Sequence, residues 1–371
     1  MTGDYLTRSP GRSFDFALVV SALLLCGIGA LAIYSANLQS ESPYIQDLYL
    51  RQILWIGVAV VMMLAVTLID YRTYERMAWP VYWIGVASLA YVDISGKTVM
   101  GAQRWLTAGG MNIQPSEFMK LAVILIVTRM LDDMEKEGDL LLSELIKPFI
   151  FVLIPFLLVA KQPDLGTAMI YMIIFTGMAL FHGINRMTIA KTVAVLAAMA
   201  PIGWLLLKPY QKNRILTLLD PELDPMGKGY HIIQSKIAIG SGGFWGKGIF
   251  EGSQSKLNFL PEKHTDFIFS VISEEVGFVG SIIVIAIFFF LVMRIIEAAL
   301  HSRDKCGSLM VCGVAAMITF NFIYNIGMTL GLFPIVGVPL PFISYGGSAI
   351  VTNAVGLGIV LNVSMRRFSV D

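Results

Sequence analysis

A run of charged residues, Glu262-Lys263-His264-Thr265-Asp266, stands directly before a long apolar stretch and is the best candidate in this sequence for chemistry. A carboxylate beside a histidine and a lysine, at the head of an apolar helix, is well placed for proton transfer. Asp is also favoured at a helix N-terminus, where it caps backbone N–H groups. The two roles are compatible, and a role in capping alone stays open. We predict that Asp266 is a catalytic carboxylate.

A second group lies at another predicted helix start, Gln114-Pro115-Ser116-Glu117-Phe118-Met119-Lys120. Pro near the first helical position and Glu in the first turn are typical of a helix N-terminus. Glu117 and Lys120 are three residues apart and therefore share a helix face. They could form an intrahelical ion pair, or Lys120 could line an inward-facing anion site. Arg104, in the segment just before, would supply a second cation.

The pattern of Gln, Pro and an acidic residue recurs at Gln162-Pro163-Asp164. Two such helix starts on one side of a bundle would form a shared polar vestibule, although Asp164 could act as a helix cap alone. The segment 339–348, which contains Ser344, is rich in Pro and Gly. Irregular backbone in a membrane is tolerated only against protein or a water-filled cavity, so this segment is predicted to line the same cavity.

Two further groups of charged residues have both a functional and a simpler explanation. Lys208, Lys212 and Arg214 could bind lipid phosphates or a diphosphate, or could be a solvated face that contacts headgroups. Glu274 falls about two turns into the apolar stretch that follows Asp266. Carboxylates in membrane segments mark functional sites by default, but Glu274 could also be the buried partner of a basic residue on another helix.

These groups are set in a chain that is dominated by apolar residues. Of its 371 residues, 56% are hydrophobic and 14% are charged, whereas soluble domains carry about 25% charged residues. The composition therefore predicts a polytopic membrane protein. A net charge of +1 gives no basic footprint for nucleic acid. The three cysteines and four histidines show neither a disulfide framework nor metal-ligand spacing, so no protein metal site is predicted.

Hydropathy predicts an all-α protein with about ten transmembrane helices, since a span needs about 20 apolar residues. The N-terminal residues lack the pattern of a cleavable signal. The spans form one integral-membrane unit over residues 1–371, with a long extracytoplasmic loop at 208–265 between the seventh and eighth. The predicted spans are residues 16–36, 50–69, 76–94, 116–134, 146–161, 165–183, 188–207, 266–295, 308–331 and 343–364.

Lysine and arginine residues near the span ends predict that both termini are cytoplasmic. The predicted inside segments hold pairs such as Arg303 and Lys305 or Arg366 and Arg367, whereas the short loops on the other side hold fewer. The lysines of the 208–265 loop count only weakly against this orientation, because long loops translocate largely regardless of charge. The candidate site residues then lie on the extracytoplasmic side.

Taken together, these motifs resemble those of the SEDS family of bacterial shape, elongation, division and sporulation proteins. They cover most of the chain, and their combination is specific. The segment 331–341 is most similar to the elongation branch of the family. The motifs are Arg104-Trp105, Gln114-Pro115-Ser116-Glu117, Gln162-Pro163-Asp164-Leu165-Gly166-Thr167, the run from Phe259 to Phe269, Asn325-Ile326-Gly327 and Ile343-Ser344-Tyr345-Gly346-Gly347-Ser348.

The resemblance implies a multi-pass peptidoglycan glycosyltransferase of cell-wall elongation in the bacterial cytoplasmic (inner) membrane. It implies lipid II as donor and acceptor, undecaprenyl diphosphate as the released product, and a class B penicillin-binding protein, a transpeptidase, as partner. No obligatory cofactor is implied, although a divalent cation, Mg²⁺ or Mn²⁺, could steady the diphosphate. No nucleic acid is expected among its partners.

The resemblance also assigns site residues. The family's catalytic aspartate corresponds to Asp266, and its other sensitive positions correspond to Arg104, Glu117, Lys120 and Asp164. Together with the charged groups described above, the predicted substrate-binding residues are Arg104, Glu117, Lys120, Asp164, Lys212, Arg214, Glu262, Lys263, His264 and Ser344.

Two other classes of function stay open. A lipid II flippase would also carry polar groups inside a helical bundle, and would depend most on Glu117, Lys120 and Glu274. A non-catalytic scaffold that only activates a penicillin-binding protein would depend on loop surface residues instead. The concentration of polar groups at one predicted membrane face favours the enzyme, because transport sites lie near the midplane of the bilayer.

Overall fold

The computed structural model of the protein describes residues 14–367, except for residues 39, 41, 100–101, 109–110, 135–139, 208, 225–226, 257–259 and 261. Lys208, Phe259 and Pro261, which belong to the sequence motifs, therefore lie outside the described residues.

The described chain is almost entirely helical, with one small sheet. In chain order its elements are α1 (Phe16–Asn37), α2 (Pro43–Gln46), α3 (Leu48–Leu68), α4 (Tyr71–Arg76), α5 (Ala78–Ser95), β1 (Lys97–Val99), β2 (Ala102–Ala108), β3 (Met111–Ile113), α6 (Pro115–Asp132), α7 (Leu142–Lys161), α8 (Leu165–His182), α9 (Arg186–Leu206), α10 (Pro209–Leu219), a 3₁₀ helix (Pro221–Leu223), α11 (Lys228–Ser241), α12 (Ser253–Lys256), α13 (Ile268–Leu300), α14 (Lys305–Thr329) and α15 (Gly347–Arg366).

The predicted all-α membrane architecture is confirmed. Among the described residues, eight helices are long and apolar enough to cross a membrane, namely α1, α3, α7, α8, α9, α13, α14 and α15. The other two predicted spans are also helical, as α5 and α6, and each is 18 residues long. α5 contains several aromatic residues and a proline, and α6 carries four charged side chains, so both are less apolar than the others.

α6 can carry charged residues because it lies at the centre of the bundle. It packs against α5, α7, α8, α14 and α15, and nearly all of its side chains are buried. A helix that is surrounded by protein need not present an apolar face to lipid, and its polar groups can find partners on neighbouring helices. Around it, α3 packs with α15, α13 with α14, and α1 with α13.

The connection between α5 and α6 forms a three-stranded antiparallel sheet in the order β1-β2-β3. Lys97 lies opposite Trp105 in the first pair of strands, and Leu106 lies opposite Ile113 in the second. Two of these strands have three residues each, which is too short for alternation of apolar and polar residues to reveal them in the sequence. The central strand, β2, carries Arg104.

The predicted 208–265 loop contains ordered helical structure. α10, the 3₁₀ helix, α11 and α12 follow one another within it. α11 ends at Ser241, and a turn that begins at Gly242 follows. Because α11 packs against α13 and α14, this segment returns to the bundle and can contribute side chains to a site there.

α13 is interrupted at Gly277, whose φ of 66° and ψ of −162° lie outside the helical region. The turn after α11 satisfies backbone groups that the break exposes. Phe278 N donates to the carbonyl of Gly243 at 3.0 Å, and Lys247 N donates to the carbonyl of Glu274 at 3.0 Å. Broken helices are tolerated in membranes where protein re-satisfies the backbone in this way.

Replacing Gly277 by alanine is expected to destabilise the protein. A Cβ there would overlap the backbone of Gly246 and lie 2.7 Å from the carbonyl carbon of Trp245, and L-residues other than glycine are strained at this φ. The free energy of unfolding should fall by about 3 kcal/mol, seen as a lower midpoint of thermal unfolding in detergent. Gly57→Ala on α3 is the control, because a Cβ there meets open space. Equal midpoints for the two variants would contradict this description of the break.

Candidate active site

Four helices, α6, α8, α13 and α15, begin at the same end of the bundle, which we call the site end. Gln114 joins three of these starts. Its backbone N–H donates to Ser348 Oγ at the start of α15, 3.0 Å away, and its side-chain amide donates to Asp164 Oδ2 at the start of α8, 3.3 Å away. The two Gln-Pro helix starts therefore lie together, as their repeated pattern predicts.

The 262–267 turn precedes α13 and is fixed to the connection between α14 and α15. Ser344 Oγ donates to the carbonyl of Thr265 at 2.6 Å, and Tyr345 N donates to the carbonyl of His264 at 2.9 Å. Ser344 is itself buried. Its hydroxyl thus holds the turn in place, and binding of a substrate by Ser344 stays a prediction.

Asn325 extends this attachment to Asp266. Its side-chain amide donates to the carbonyl of Asp266 at 2.9 Å and to that of Val338 at 2.8 Å, and its exposed fraction is 0%. Gly337, with a φ of +74°, lies so close that a Cβ there would be 3.4 Å from Asp266 Oδ2. Asn325 is absent from the predicted site residues, because an Asn within an apolar helix gives no indication of its partners. Its place in a family motif was the available signal.

Asp266 does not cap α13. That helix begins at Ile268, with Phe267 at the N-cap position and no hydrogen bond from a side chain. The simpler explanation of Asp266, as a cap alone, is therefore wrong. Asp266 is half-buried, so its carboxylate is held near the surface of the site end without a capping role.

The pKa of Asp266 is raised. Burial, and then the negative charge of Glu262, raise it from 3.8 to about 6, against the opposing charge of Lys228. Asp164 raises this pKa further and Arg104 lowers it, so all four residues are within electrostatic reach of Asp266. A carboxylate with a pKa near 6 is largely ionised at neutral pH and accepts a proton more readily than an ordinary Asp.

Lys228, the first residue of α11, is a cation of the site end that the sequence did not reveal. Burial lowers its pKa, the carboxylate of Asp266 raises it, and the positive charge of Arg214 lowers it. Lys228 is therefore within electrostatic reach of both residues. A lysine in a glycine-rich segment has no helical neighbours in sequence that would identify it as part of a site.

The residues between Glu262 and Asp266 have separate roles. Burial lowers the pKa of Lys263 to about 8, and burial also lowers the pKa of His264. The His264 ring packs edge-on against Tyr345, with centroids 6.0 Å apart. The carboxylate of Glu262 accepts a hydrogen bond within the turn. His264 is thus neutral at neutral pH, and contact of Glu262, Lys263 or His264 with a substrate stays a prediction.

Asp164 caps α8, as the simpler explanation of this residue predicts. Its Oδ1 accepts from Thr167 N at 3.3 Å, and its Oδ2 lies 3.7 Å from Nη1 of Arg104. Arg104 also donates to the carbonyls of Gln162 and Pro163, at 3.0 and 2.6 Å. Arg104 therefore ties β2 to the turn between α7 and α8, and only part of its donor capacity remains for a ligand.

Glu117 and Lys120 form the ion pair that their spacing predicts, with Lys120 Nζ 2.7 Å from Glu117 Oε1. The pair is deeply buried in α6, with exposed fractions of 3% for Glu117 and 1% for Lys120. In this geometry it lies inside the bundle and not on the surface of the site, so direct contact of either residue with a substrate stays a prediction.

The remaining predicted cations lie on α10. Lys212 and Arg214 are both half-buried. Arg214 lines a cavity between α8, α10 and α14, whereas Lys212 is not among the residues that line it. Of the two, Arg214 is therefore the one that the described structure brings to the site end, and substrate binding by Lys212 stays a prediction.

Glu274 is the buried partner of a basic residue, which is the simpler of its two predicted explanations. Its exposed fraction is 0%, and its Oε1 accepts from Lys247 Nζ at 2.7 Å, from Ser253 Oγ at 3.1 Å and from Gln254 N at 3.0 Å. Lys247 belongs to the segment after α11 and not to another spanning helix. Glu274 therefore fastens that segment to the break in α13.

One group of three potential metal ligands lies within the described part of the chain. Atoms of Glu75, Asp132 and Cys306 are all within 4.8 Å of one another. The group is at the opposite end of α6 from Glu117, and Glu75 Oε1 accepts from Arg129 at 2.8 Å, whose positive charge opposes a cation there. It has no connection with the site end.

The site end thus combines a half-buried carboxylate on a firmly attached turn with cations from β2, α10 and α11. Such a carboxylate can take the proton of an attacking hydroxyl group. The cations can stabilise negative charge that develops on a leaving group, most effectively where water is excluded. The arrangement suits transfer of a group from an anionic carrier to a hydroxyl acceptor.

Comparisons with known proteins extend over nearly the whole chain. The sequence pattern of the FtsW/RodA/SpoVE family, described as cell cycle proteins, matches residues 16–368. Peptidoglycan glycosyltransferase MrdB of Escherichia coli (strain K12) is 42% identical over 354 residues, which cover 95% of this chain and 94% of that protein. Peptidoglycan glycosyltransferase RodA of Treponema pallidum is 34% identical, with coverage of 95% and 98%.

The fold is also similar to solved structures. A chain of a peptidoglycan synthase complex, studied for its coordination of polymerisation and crosslinking, has a TM-score of 0.81 at 30% identity and covers 95% of this chain and 98% of its own. RodA of Thermus thermophilus has a TM-score of 0.71 at 25% identity, with coverage of 96% and 98%. The similarity therefore includes the site end as well as the membrane helices.

Asp266→Asn is expected to stabilise the protein above about pH 6. In the folded protein the pKa of Asp266 is raised from 3.8 to about 6, so ionisation of this group favours the unfolded chain. The wild type loses stability as pH rises from about 4 to about 6, and the loss persists at higher pH. The variant should unfold at a higher temperature than wild type at about pH 8, and at a similar temperature at about pH 4.

The control for this measurement is Asp133→Asn, since Asp133 is exposed at the opposite end of α6. It should show no gain in the unfolding midpoint at high pH. If Asp266→Asn lowered the midpoint at about pH 8, the carboxylate would be stabilising and its pKa would not be raised.

Proposed function

Given that the chain belongs to the FtsW/RodA/SpoVE family of cell cycle proteins, we propose that it polymerises lipid II with Asp266 as its general base. Relatives that are 34% and 42% identical over most of the chain are named peptidoglycan glycosyltransferases, and the chain is an enzyme of this class. Lipid II is a disaccharide-peptide that is carried on a polyprenyl diphosphate.

The observation that carries the proposal is the state of Asp266. It is a half-buried carboxylate with a pKa near 6, and Asn325 holds its backbone from a neighbouring helix. A general base works best when its pKa is near the working pH, because it is then both ionised and basic. An ordinary Asp would be ionised but a weaker base.

The proposed reaction joins two lipid II molecules. The 4-hydroxyl oxygen of the acceptor sugar attacks C1 of the donor sugar, and the bond between C1 and the diphosphate oxygen breaks. The hydroxyl proton passes to the carboxylate of Asp266, and the electron pair of the broken bond leaves with the polyprenyl diphosphate. Asp266 then releases its proton to water and is ready for the next addition.

One carboxylate is sufficient for this chemistry because diphosphate leaves as an anion. Hydrolysis of a glycoside, by contrast, uses a second carboxyl group to protonate its leaving oxygen. The negative charge that develops on the diphosphate would be stabilised by Lys228 and Arg214, with Arg104 nearby. A divalent cation, Mg²⁺ or Mn²⁺, would add positive charge at the same place, and Glu262 offers a carboxylate for it. No obligatory cofactor is proposed.

The proposal puts the site end on the extracytoplasmic side of the bacterial cytoplasmic (inner) membrane, with both termini in the cytoplasm. Polymerisation there needs a second activity that cross-links the product. The similarity to a chain of a complex that coordinates polymerisation and crosslinking supports a class B penicillin-binding protein as the partner.

Asp266→Asn is expected to reduce glycan polymerisation by about 10²–10⁴-fold, the usual contribution of a general base. The measurement is a gel assay of glycan chains made from lipid II by the purified protein with its cognate partner. Asp133→Asn serves as the control and should polymerise at the wild-type rate. A folded Asp266→Asn variant that polymerises normally would show that the base lies elsewhere. If wild type makes no polymer while lipid II crosses proteoliposome membranes, the flippase explanation is correct instead.

A further inference from the structure

A cavity of about 630 Å³ lies between α8, α10 and α14, and the connection between α14 and α15 covers one side of it. Its lining is apolar apart from Gln211, Arg214 and Tyr324. The hydroxyl group of Tyr324 donates to the carbonyl of Pro334 at 3.0 Å, so this residue presents mainly its ring. The general base and the ion pairs described above account for none of this volume.

The cavity ends beside the carboxylates of the site end. Its lining residue Leu165 directly follows Asp164, the cap of α8. Its lining residue Val336 directly precedes Gly337, where a Cβ would lie 3.4 Å from Asp266 Oδ2. A ligand that fills the cavity would therefore have its nearest end one or two residues from the proposed base.

Positive charge lies at the same end. Arg214 lines the cavity, and its charge lowers the pKa of Lys228, which the carboxylate of Asp266 in turn raises. An apolar cavity is thus joined to a pair of cations, and the cations are joined to the carboxylate. This order matches a ligand with an apolar chain, then an anionic group, then a reacting sugar.

We infer that this cavity holds the first isoprene units of the polyprenyl chain of a diphosphate-linked sugar donor, with Arg214 at the diphosphate. The inference rests on the proposed function and names where the lipid part of the substrate lies. The volume falls in the range of about 300–1,000 Å³ that is usual for ligand pockets. An acyl chain of a bulk phospholipid would suit the apolar lining, but the position beside Asp266 favours the chain of the reacting lipid.

The test fills the cavity and varies the length of the lipid. Ile323 on α14 lines the cavity and is 52% exposed, so Ile323→Trp should occupy part of the volume without disturbing the core. Ile283 on α13 is 54% exposed and does not line the cavity; Ile283→Trp is the matched control. Met169→Trp, on the α8 wall, is a second filling variant in case the first fails to fold.

Each protein is given lipid II with an undecaprenyl chain or with a farnesyl chain. For Ile323→Trp, the KM relative to wild type should rise about tenfold more with the undecaprenyl substrate than with the farnesyl one, which is the effect of excluding roughly two methylene groups from an apolar site. Binding of undecaprenyl diphosphate alone, followed by thermal stabilisation of the protein, should weaken by a similar factor. Ile283→Trp should match wild type in both measurements.

The outcomes separate this inference from the proposed function. If Ile323→Trp and Met169→Trp polymerise both substrates with wild-type KM, the polyprenyl chain lies elsewhere although the enzyme assignment holds. Equal losses with both substrates would also overturn the inference, because the effect would not depend on the chain. If wild type makes no polymer but binds undecaprenyl diphosphate more tightly than Ile323→Trp does, the cavity assignment holds and the proposed function fails. Equal stabilisation by a bulk phospholipid would show that the cavity is a general lipid site, contrary to the inference.

Discussion

Three successive backbone carbonyls before α13, those of residues 264–266, each accept a hydrogen bond from the neighbouring helix α14 or from the connection to α15. The rest of the site depends on this attachment, because α13 alone cannot hold its own start. The helix is broken at Gly277, so its first turns form a short separate piece. That piece is fastened at one end by Asn325 and Ser344, and at the other end by the segment that carries Lys247.

Fixing Asp266 in this way has a cost that function explains. A carboxylate that is held away from water, near the negative charge of Glu262, acquires a raised pKa and destabilises the folded protein when it ionises. Active sites commonly contain such groups, because the environment that makes them reactive also makes them unfavourable. The nearby cations Lys228 and Arg104 reduce the penalty without removing it, and they are suited to receive an anionic substrate.

Local sequence patterns predicted the helices and several contacts of the site, because these depend on neighbours in the chain. Hydropathy located the spanning helices, and spacing gave the pairing of Glu117 with Lys120 and the capping role of Asp164. The remaining features depend on residues far apart in sequence. The hydrogen bonds of Asn325, the approach of Lys228 and the attachment of Arg104 to backbone carbonyls have no local signal. The same is true of the capping role considered for Asp266, which tertiary contacts replaced.

The most direct test of this account is the pH dependence of the polymerisation rate in wild type and in Asn325→Leu. Asn321→Leu is the control, since Asn321 is also buried on α14 and no described hydrogen bond joins it to the 262–267 turn. The account predicts that the wild-type rate rises with pH to a plateau, with an inflection at about 6. In Asn325→Leu the freed turn should let water reach Asp266, so the inflection should move toward 3.8 and the plateau rate should fall. An inflection that is unchanged in Asn325→Leu would contradict the claim that this attachment sets the reactivity of Asp266.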